Sequence, residues 1–227
     1  MFFDDVLDDV LDDGIFTPAL LKQIESMYRR ADPAHDFSHA LRVCKNAREI
    51  GQAEGADMEV LLLAALLHDV EGGSKGSTVS REEEEVQLAR RSKELDGLLD
   101  GMGLSEEAKD SVIYAVQVHS FSRAVSPRTL EARILQDADR LDALGAVGIA
   151  RTFMTGGAIN RAFCSPLDPF CKTREPDDGR WNLDHFYRKL LNLESGMHTI
   201  KGKEMAKRRT EVLRRYLQDL EEEIGEG

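Results

Sequence analysis

The spacing of apolar residues is helical almost from end to end. Thr17 before Pro18 reads as an N-cap with proline in the first turn, and Leu20, Leu21, Ile24 and Met27 then share one face. A second helix is expected from near Asp36 to Glu54. Leu41, Val43, Cys44, Ala47 and Ile50 form its apolar stripe, and Gly55 is its stop. A third runs from about Asp57 to Val70. Its stretch Val60–Leu67 is apolar on every side, which marks a helix buried all round yet too short to cross a bilayer. Gly72, Gly73, Ser74, Gly76 and Ser77 then read as a flexible loop. Further helices are expected over about Ser80–Leu99, Ser105–Val118 and Pro127–Leu144, the last continuing or restarting after Gly145 through Phe153. Ser105 followed by Glu106 and Glu107 is a capped helix start whose charges suit the helix dipole. Residues 155–181 hold Gly156, Gly157, Pro166, Pro169, Pro176 and Gly179, and read as one long irregular segment. Helices near Leu183–Leu193 and Ile200–Ile224 follow. No alternating stretch of strand length occurs, so the predicted class is all-α.

Composition narrows the function. The 227 residues are 41% hydrophobic and 32% charged, which fits one globular domain that buries its own core. Residues 1–16 read as an acidic N-terminal extension, built on the repeat Asp-Asp-Val-Leu, and 17–227 as the domain. A formal net charge of -12 repels a long nucleic acid but not a small anion held by a cation and local Lys or Arg. The N-terminus lacks the pattern of a signal peptide, and no membrane span is expected. Cys44, Cys164 and Cys171 are odd in number and lack C-x-x-C spacing, so free thiols in a reducing cytoplasm are expected over a redox or zinc pair. The run Glu82–Glu85 reads as a solvated helix face. The last helix, with Glu221–Glu223, is either structural or the means of forming a homodimer.

The sharpest chemistry lies where the all-apolar helix ends, at His68-Asp69. A buried carboxylate is costly unless it is paired or binds a cation. A helix-terminal histidine beside a solvated aspartate is the plain alternative. His39, in His35-Asp-Phe-Ser-His39, sits near the start of the preceding helix. A short turn joins the two helices, so they pack antiparallel and His39 falls near His68 and Asp69. The stretch Ile134-Leu-Gln-Asp137-Ala-Asp139-Arg-Leu-Asp142 adds three aspartates around the inward stripe of Ile134, Ala138, Leu141 and Gly145. Periodicity does not choose among them.

His39, His68-Asp69 and this aspartate segment, in that order on successive helices, resemble the HD-domain superfamily of metal-dependent phosphohydrolases, and more narrowly the YedJ-type group of predicted HD hydrolases. Leu63-Ala-Ala-Leu-Leu-His-Asp-Val, His119-Ser-Phe-Ser122, Ile134 through Arg151 and His185-Phe-Tyr-Arg-Lys-Leu-Leu also carry the resemblance, which covers about residues 20–215. It implies an HD-domain helical bundle with additional C-terminal helices: a metal-site core over about 30–152 and a C-terminal helical part over about 182–225. It places the metal ligands at His39, His68, Asp69 and Asp139, choosing Asp139 over Asp137. Asp137 then falls at the surface or behind the ligands, paired with Arg140 or Arg133.

The cofactor implied is one divalent ion (Mn, Ni, Co, Fe or Mg, with Mn or Ni favoured). Such an ion acidifies a bound water and polarises a phosphoryl oxygen. Asp69 would bind the ion and orient the water, and Glu71 or Asp142 would accept its proton. Lys75, Arg42, His119, Arg123, Arg151 and Lys189 are the donors expected to face the substrate's negative charge. His119 is alternatively a structural histidine or a ligand of a second ion. His35 reads as a turn residue near the site, and His185 and His198 as packing or surface. Lys172, Arg174, Arg180 and Trp181 make segment 155–181 either a lid for a nucleotide or a solvated loop. The expected activity is hydrolysis of a phosphoester or phosphoanhydride in a small molecule, most simply a nucleotide, by a nucleoside triphosphate pyrophosphohydrolase or nucleotidase. The alternatives are a non-catalytic nucleotide sensor and a di-iron oxygenase on the same fold.

Overall fold

A computed structural model describes residues 16–28, 36–70, 81–119 and 126–225, without the side chains of 81–89 and 91. The helices are α1 (Pro18–Met27), α2 (Phe37–Glu54), α3 (Met58–Leu67), α4 (Arg81–Asp100), α5 (Glu106–Val118), α6 (Leu130–Asp142), α7 (Gly145–Ala158), α8 (Asp184–Arg188) and α9 (Ile200–Gly225). Two 3-10 turns, Leu190–Asn192 and Glu194–Gly196, lie between α8 and α9. Among the described residues there is no strand, only the isolated bridge of Ala162 with Trp181. The all-α class stands. No helix among these residues is long and apolar enough to cross a membrane. The acidic N-terminal repeat and the glycine-rich loop lie outside the described residues.

The chain divides into two compact units, with the boundary inside α6 between Ala138 and Asp139. In the first unit α3 packs between α2 and α5, and α4 packs on α5. Every residue from Val60 to Leu67 is buried, as the all-round apolar pattern requires. The expected caps are in place. Thr17 Oγ1 accepts the Leu20 N–H at 3.2 Å and Ser105 Oγ accepts that of Ala108 at 3.2 Å. The Tyr28 hydroxyl donates to the Leu66 carbonyl at 2.8 Å, which satisfies one of the last carbonyls of α3.

In the second unit α7 and α9 pack together. The helix predicted to end near Leu144 does break there. Gly145 takes φ 70, a left-handed conformation that a Cβ disfavours, and the helix restarts. It runs on to Ala158, further than the expected Phe153, so the irregular segment is shorter than predicted at its start. The single helix expected over Leu183–Leu193 is instead the short α8 and two 3-10 turns. Lys189 leaves the helical region at φ -130, ψ -60. Phe153, Phe163, Phe186 and Tyr216 form an aromatic cluster with centroids 5.4 to 6.2 Å apart.

Lys172 pairs with Glu221, and Arg174 grips Asp184, its Nη2 donating to Oδ1 at 2.7 Å. Arg180 lies over Trp181, 5.1 Å from the ring centroid. Three charges expected to make a lid thus have partners within the unit. Cys44, Cys164 and Cys171 are free thiols. Burial, and then the Asp184 carboxylate, pushes the Cys171 thiol up to about 11, so it is a weak nucleophile at neutral pH.

Candidate metal centre

His39 enters the site from the first turn of α2. Asp36 caps that turn: its Oδ1 accepts the His39 N–H at 2.9 Å and the Ser38 hydroxyl at 2.6 Å. Arg42 donates to Ser38 Oγ at 3.0 Å. The polar residues between His35 and Arg42 therefore fix the backbone that carries His39, and Arg42 is tied into the same chain of bonds.

His68 and Asp69 come from the end of α3. The His68 Nδ1 lies 2.7 Å from the Ala65 carbonyl. A carbonyl only accepts, so Nδ1 carries the proton and the neutral ring presents a lone pair on Nε2. That Nε2 lies 3.2 Å from the Nε2 of His39, and each is 3.6 Å from Asp69 Oδ2. His39 and His68 are fully buried and Asp69 nearly so. Two imidazoles and a carboxylate that converge without solvent suit Mn, Fe, Co, Ni or Zn. Donors about 2.1 Å from a shared ion stand about 3.0 Å apart in an octahedral site and about 3.4 Å apart in a tetrahedral one. The 3.2 Å between the imidazole nitrogens falls in that range and the two 3.6 Å spacings to Asp69 lie slightly above it, so the donor set fits a divalent cation after a small contraction. Among the described residues this is the cluster of three whose ligand atoms all lie within 4.8 Å of one another.

His119 joins the same place from the end of α5. Its Nδ1 bonds the Val116 carbonyl at 2.6 Å, and its Nε2 lies 3.4 Å from Asp69 Oδ1. Asp69 thus turns one oxygen to His39 and His68 and the other to His119. The His119 and His68 rings meet edge to face with centroids 5.2 Å apart. Two supporting residues had no place in the sequence reading. Asn46, buried on α2, donates to the Ala138 carbonyl at 3.1 Å, and Gln136 to the Val118 carbonyl at 2.7 Å. A buried amide at helical spacing from His39 was the available signal for Asn46.

In the second unit Asp139 is partly exposed. Asp137, expected at the surface or behind the ligands, is fully buried, because its side of α6 faces the interior. Arg133, one of its expected partners, bonds the Pro127 and Arg128 carbonyls, and Arg140 bonds that of Gly196. Arg151 donates to Asp142, so an expected substrate donor and an expected proton acceptor pair with each other, at 15% and 2% side-chain exposure. Lys189 is exposed at the end of α8. His185, expected as packing or surface, is partly buried, with its Nδ1 2.8 Å from Asp178 Oδ2. His35, Glu71, Lys75 and Arg123 lie outside the described residues.

The family model for the HD domain matches residues 36–144. The uncharacterized protein YpgQ of Bacillus subtilis is 33% identical over 205 residues, which cover 88% of this chain and 90% of that one. A crystal structure of YpgQ in complex with ADP superposes with a TM-score of 0.69 at 31% identity, over 90% of this chain and 93% of that one. An HD-superfamily hydrolase from Bacillus thuringiensis gives a TM-score of 0.70 at 29% identity, over 95% and 99%.

Proposed function

The chain belongs to the HD-domain family and is a metal-dependent hydrolase of that family, and from this premise we propose that it cleaves a phosphoester or phosphoanhydride of a nucleotide, using a divalent ion held by His39, His68, Asp69 and Asp139. The observation that carries the proposal is the buried convergence of His39, His68 and Asp69, whose ligand atoms all lie within 4.8 Å of one another. The ADP complex of YpgQ supports a nucleotide as the ligand class. Asp139 rests on the family resemblance of Ala138-Asp139-Arg140.

When bound, the ion supplies Lewis acidity: it lowers the pKa of a coordinated water and draws charge from a phosphoryl oxygen. The residues do the rest. The Ala65 carbonyl holds His68 in the tautomer that binds a cation, and Asp36 fixes the approach of His39. Asp69 neutralises part of the ion's charge and orients a water through its carboxylate. His119, beside Asp69, has its Nδ1–H on the Val116 carbonyl, so it would donate from Nε2 to a phosphoryl oxygen as the imidazolium. Of the two proton acceptors we consider, Asp142 is held by Arg151, and a carboxylate paired with a guanidinium is a weak base, which favours Glu71. Arg42, Arg151, Lys189, Lys75 and Arg123 remain the proposed substrate donors. Mn or Ni is the proposed ion, the cytoplasm the proposed compartment and a homodimer the proposed assembly.

A panel of nucleoside mono-, di- and triphosphates and cyclic nucleotides, incubated with the protein and Mn2+ or Ni2+, tests this reading. Release of phosphate or pyrophosphate from at least one member, lost in His68→Ala, is expected. If no member is turned over and His68→Ala binds nucleotide as well as the wild type, the protein is a sensor and the proposal fails.

A further inference from the structure

The three residues of the buried cluster stand at the open ends of two helices. α2 and α3 are joined by the short turn at residues 55–57, yet His39 lies in the first turn of α2 and His68 and Asp69 lie just past the last turn of α3. At about 1.5 Å of rise per residue, His68 is roughly 16 Å along α3 from that turn. Helix ends fray, and groups that act together must be held to within about 0.5 Å. The open end of the pair therefore needs a brace that the connecting turn does not give.

Tyr28 reaches both helices there. It caps the C-terminus of α1, where its N–H donates to the Glu25 carbonyl at 3.0 Å, and its side chain is buried. Leu21 and Ile24 are buried on the same face of α1, so Tyr28 is carried on a seated helix. Its hydroxyl donates to the Leu66 carbonyl at 2.8 Å, two residues before His68. The chain tightens just beyond: the Val70 N–H bonds the Leu67 carbonyl at 3.3 Å, an i to i+3 bond that spans His68 and Asp69. The ring of Tyr28 lies against Phe37, with centroids 5.7 Å apart and an interplanar angle of 50°. Phe37 is the first residue of α2 and precedes His39 by two. One side chain from a third helix thus touches the end of α3 with its oxygen and the start of α2 with its ring. Each contact is two residues from a histidine of the cluster. Without the hydroxyl the Leu66 carbonyl loses a buried donor, and the turn that carries His68 and Asp69 is free to shift.

We propose that Tyr28 is a positioning residue of the metal centre. Its hydroxyl and its ring hold the open ends of α2 and α3 at the spacing that His39, His68 and Asp69 need to share an ion. The role in ion binding rests on the reading of the centre given above; the two contacts do not.

Mn2+ is titrated calorimetrically into the full-length protein, and the bound ion is followed by electron paramagnetic resonance, which reports the symmetry of its ligands. Tyr28→Phe removes one oxygen and keeps the ring on Phe37. It is expected to weaken Mn2+ binding about tenfold, the lower end of what loss of an orienting partner costs, and to change the spectrum of the Mn2+ that still binds. Tyr28→Leu, which removes the ring contact as well, should weaken binding further. Leu99→Ala controls for loss of stability alone, since Leu99 is fully buried in α4 and has no part in the centre. It should lower the urea midpoint yet keep the wild-type affinity and spectrum. A wild type that binds no Mn2+ removes the centre, and the role of Tyr28 with it. Wild-type binding that Tyr28→Phe matches in affinity and spectrum, whatever its urea midpoint, overturns the role of Tyr28 alone. Tenfold weaker binding in Leu99→Ala would also overturn it, because any loss of stability would then suffice.

Discussion

His68 and His119 divide their two ring nitrogens between two tasks. Nδ1 satisfies a carbonyl of the last helical turn, from Ala65 or Val116, and Nε2 points at Asp69 or its neighbours. A helix-terminal role and the proposed ligand role are therefore not rivals for His68; one ring has a nitrogen for each. This is why the pair His68-Asp69 was ambiguous in the sequence: the local signal of a helix end is the same with or without an ion. The choice between Asp137 and Asp139 was not legible in the periodicity either, and burial favours neither in a simple way, since Asp137 is buried and Asp139 partly exposed. Substitution separates them. Asp139→Ala should weaken Mn2+ binding by more than the roughly 10–100-fold that loss of a supporting residue costs, while Asp137→Asn should leave it within that range. Calorimetric titration of Mn2+ into each variant reads the difference, and the reverse order would move the fourth ligand to Asp137.

At the scale of elements, α3 holds the centre in place through its own burial. Leu63 is fully buried in it, so Leu63→Ala should cost about 2–5 kcal/mol in denaturant unfolding. A cost below that range would show that α3 is less enclosed than described. Asp36 belongs to α2 in the same sense. Asp36→Ala removes the N-cap, worth about 1 kcal/mol, and should also lower metal affinity because the cap sets the backbone of His39. An effect on stability alone would show that the cap does not position the ligand. α2, α3 and α5 were legible because their apolar spacing and caps agree. The segment after α8 was not. Leu190, Leu193 and Met197 are buried at spacings of three and four, which a 3-10 turn satisfies as well as an α-helix, and no sequence signal distinguishes the two. The structure within residues 159–183 was also hidden, since it depends on Arg174 gripping Asp184 and on a single bridge.

For the molecule as a whole, acidity and metal binding set the response to conditions. Burial raises Asp184, but the Arg174 guanidinium and the Asp177 N–H outweigh it and hold the carboxyl below its ordinary 3.8. The Thr173 and Lys172 N–H groups hold Asp168 down to about 2. Groups depressed in the fold stabilise it above their ordinary pKa and lose that contribution as pH falls through the depressed value. His185, also depressed, acts in the same direction at higher pH. Stability should therefore decline as pH drops below about 6.5, and again from about 4 towards 2. Asp168→Asn should flatten the second limb; an unchanged acid limb would contradict the assignment. Metal should act oppositely to acid, since binding only the folded state at a hundredfold excess over Kd adds about 2.7 kcal/mol. The net charge of -12 makes the surface an acidic setting for that ion. The fold class and the three members of the buried cluster, His39, His68 and Asp69, could be read from residue order. The engagement of Asp142 by Arg151, the place of His119 against Asp69 and the bond from Tyr28 to Leu66 depend on tertiary packing that no local pattern encodes. The metal centre is the central claim, and metal analysis of protein dialysed after loading with Mn2+ tests it most directly. Close to one ion per chain in the wild type and almost none in His68→Ala is the predicted result. A wild type that retains no ion, or a His68→Ala variant that retains as much, would contradict it.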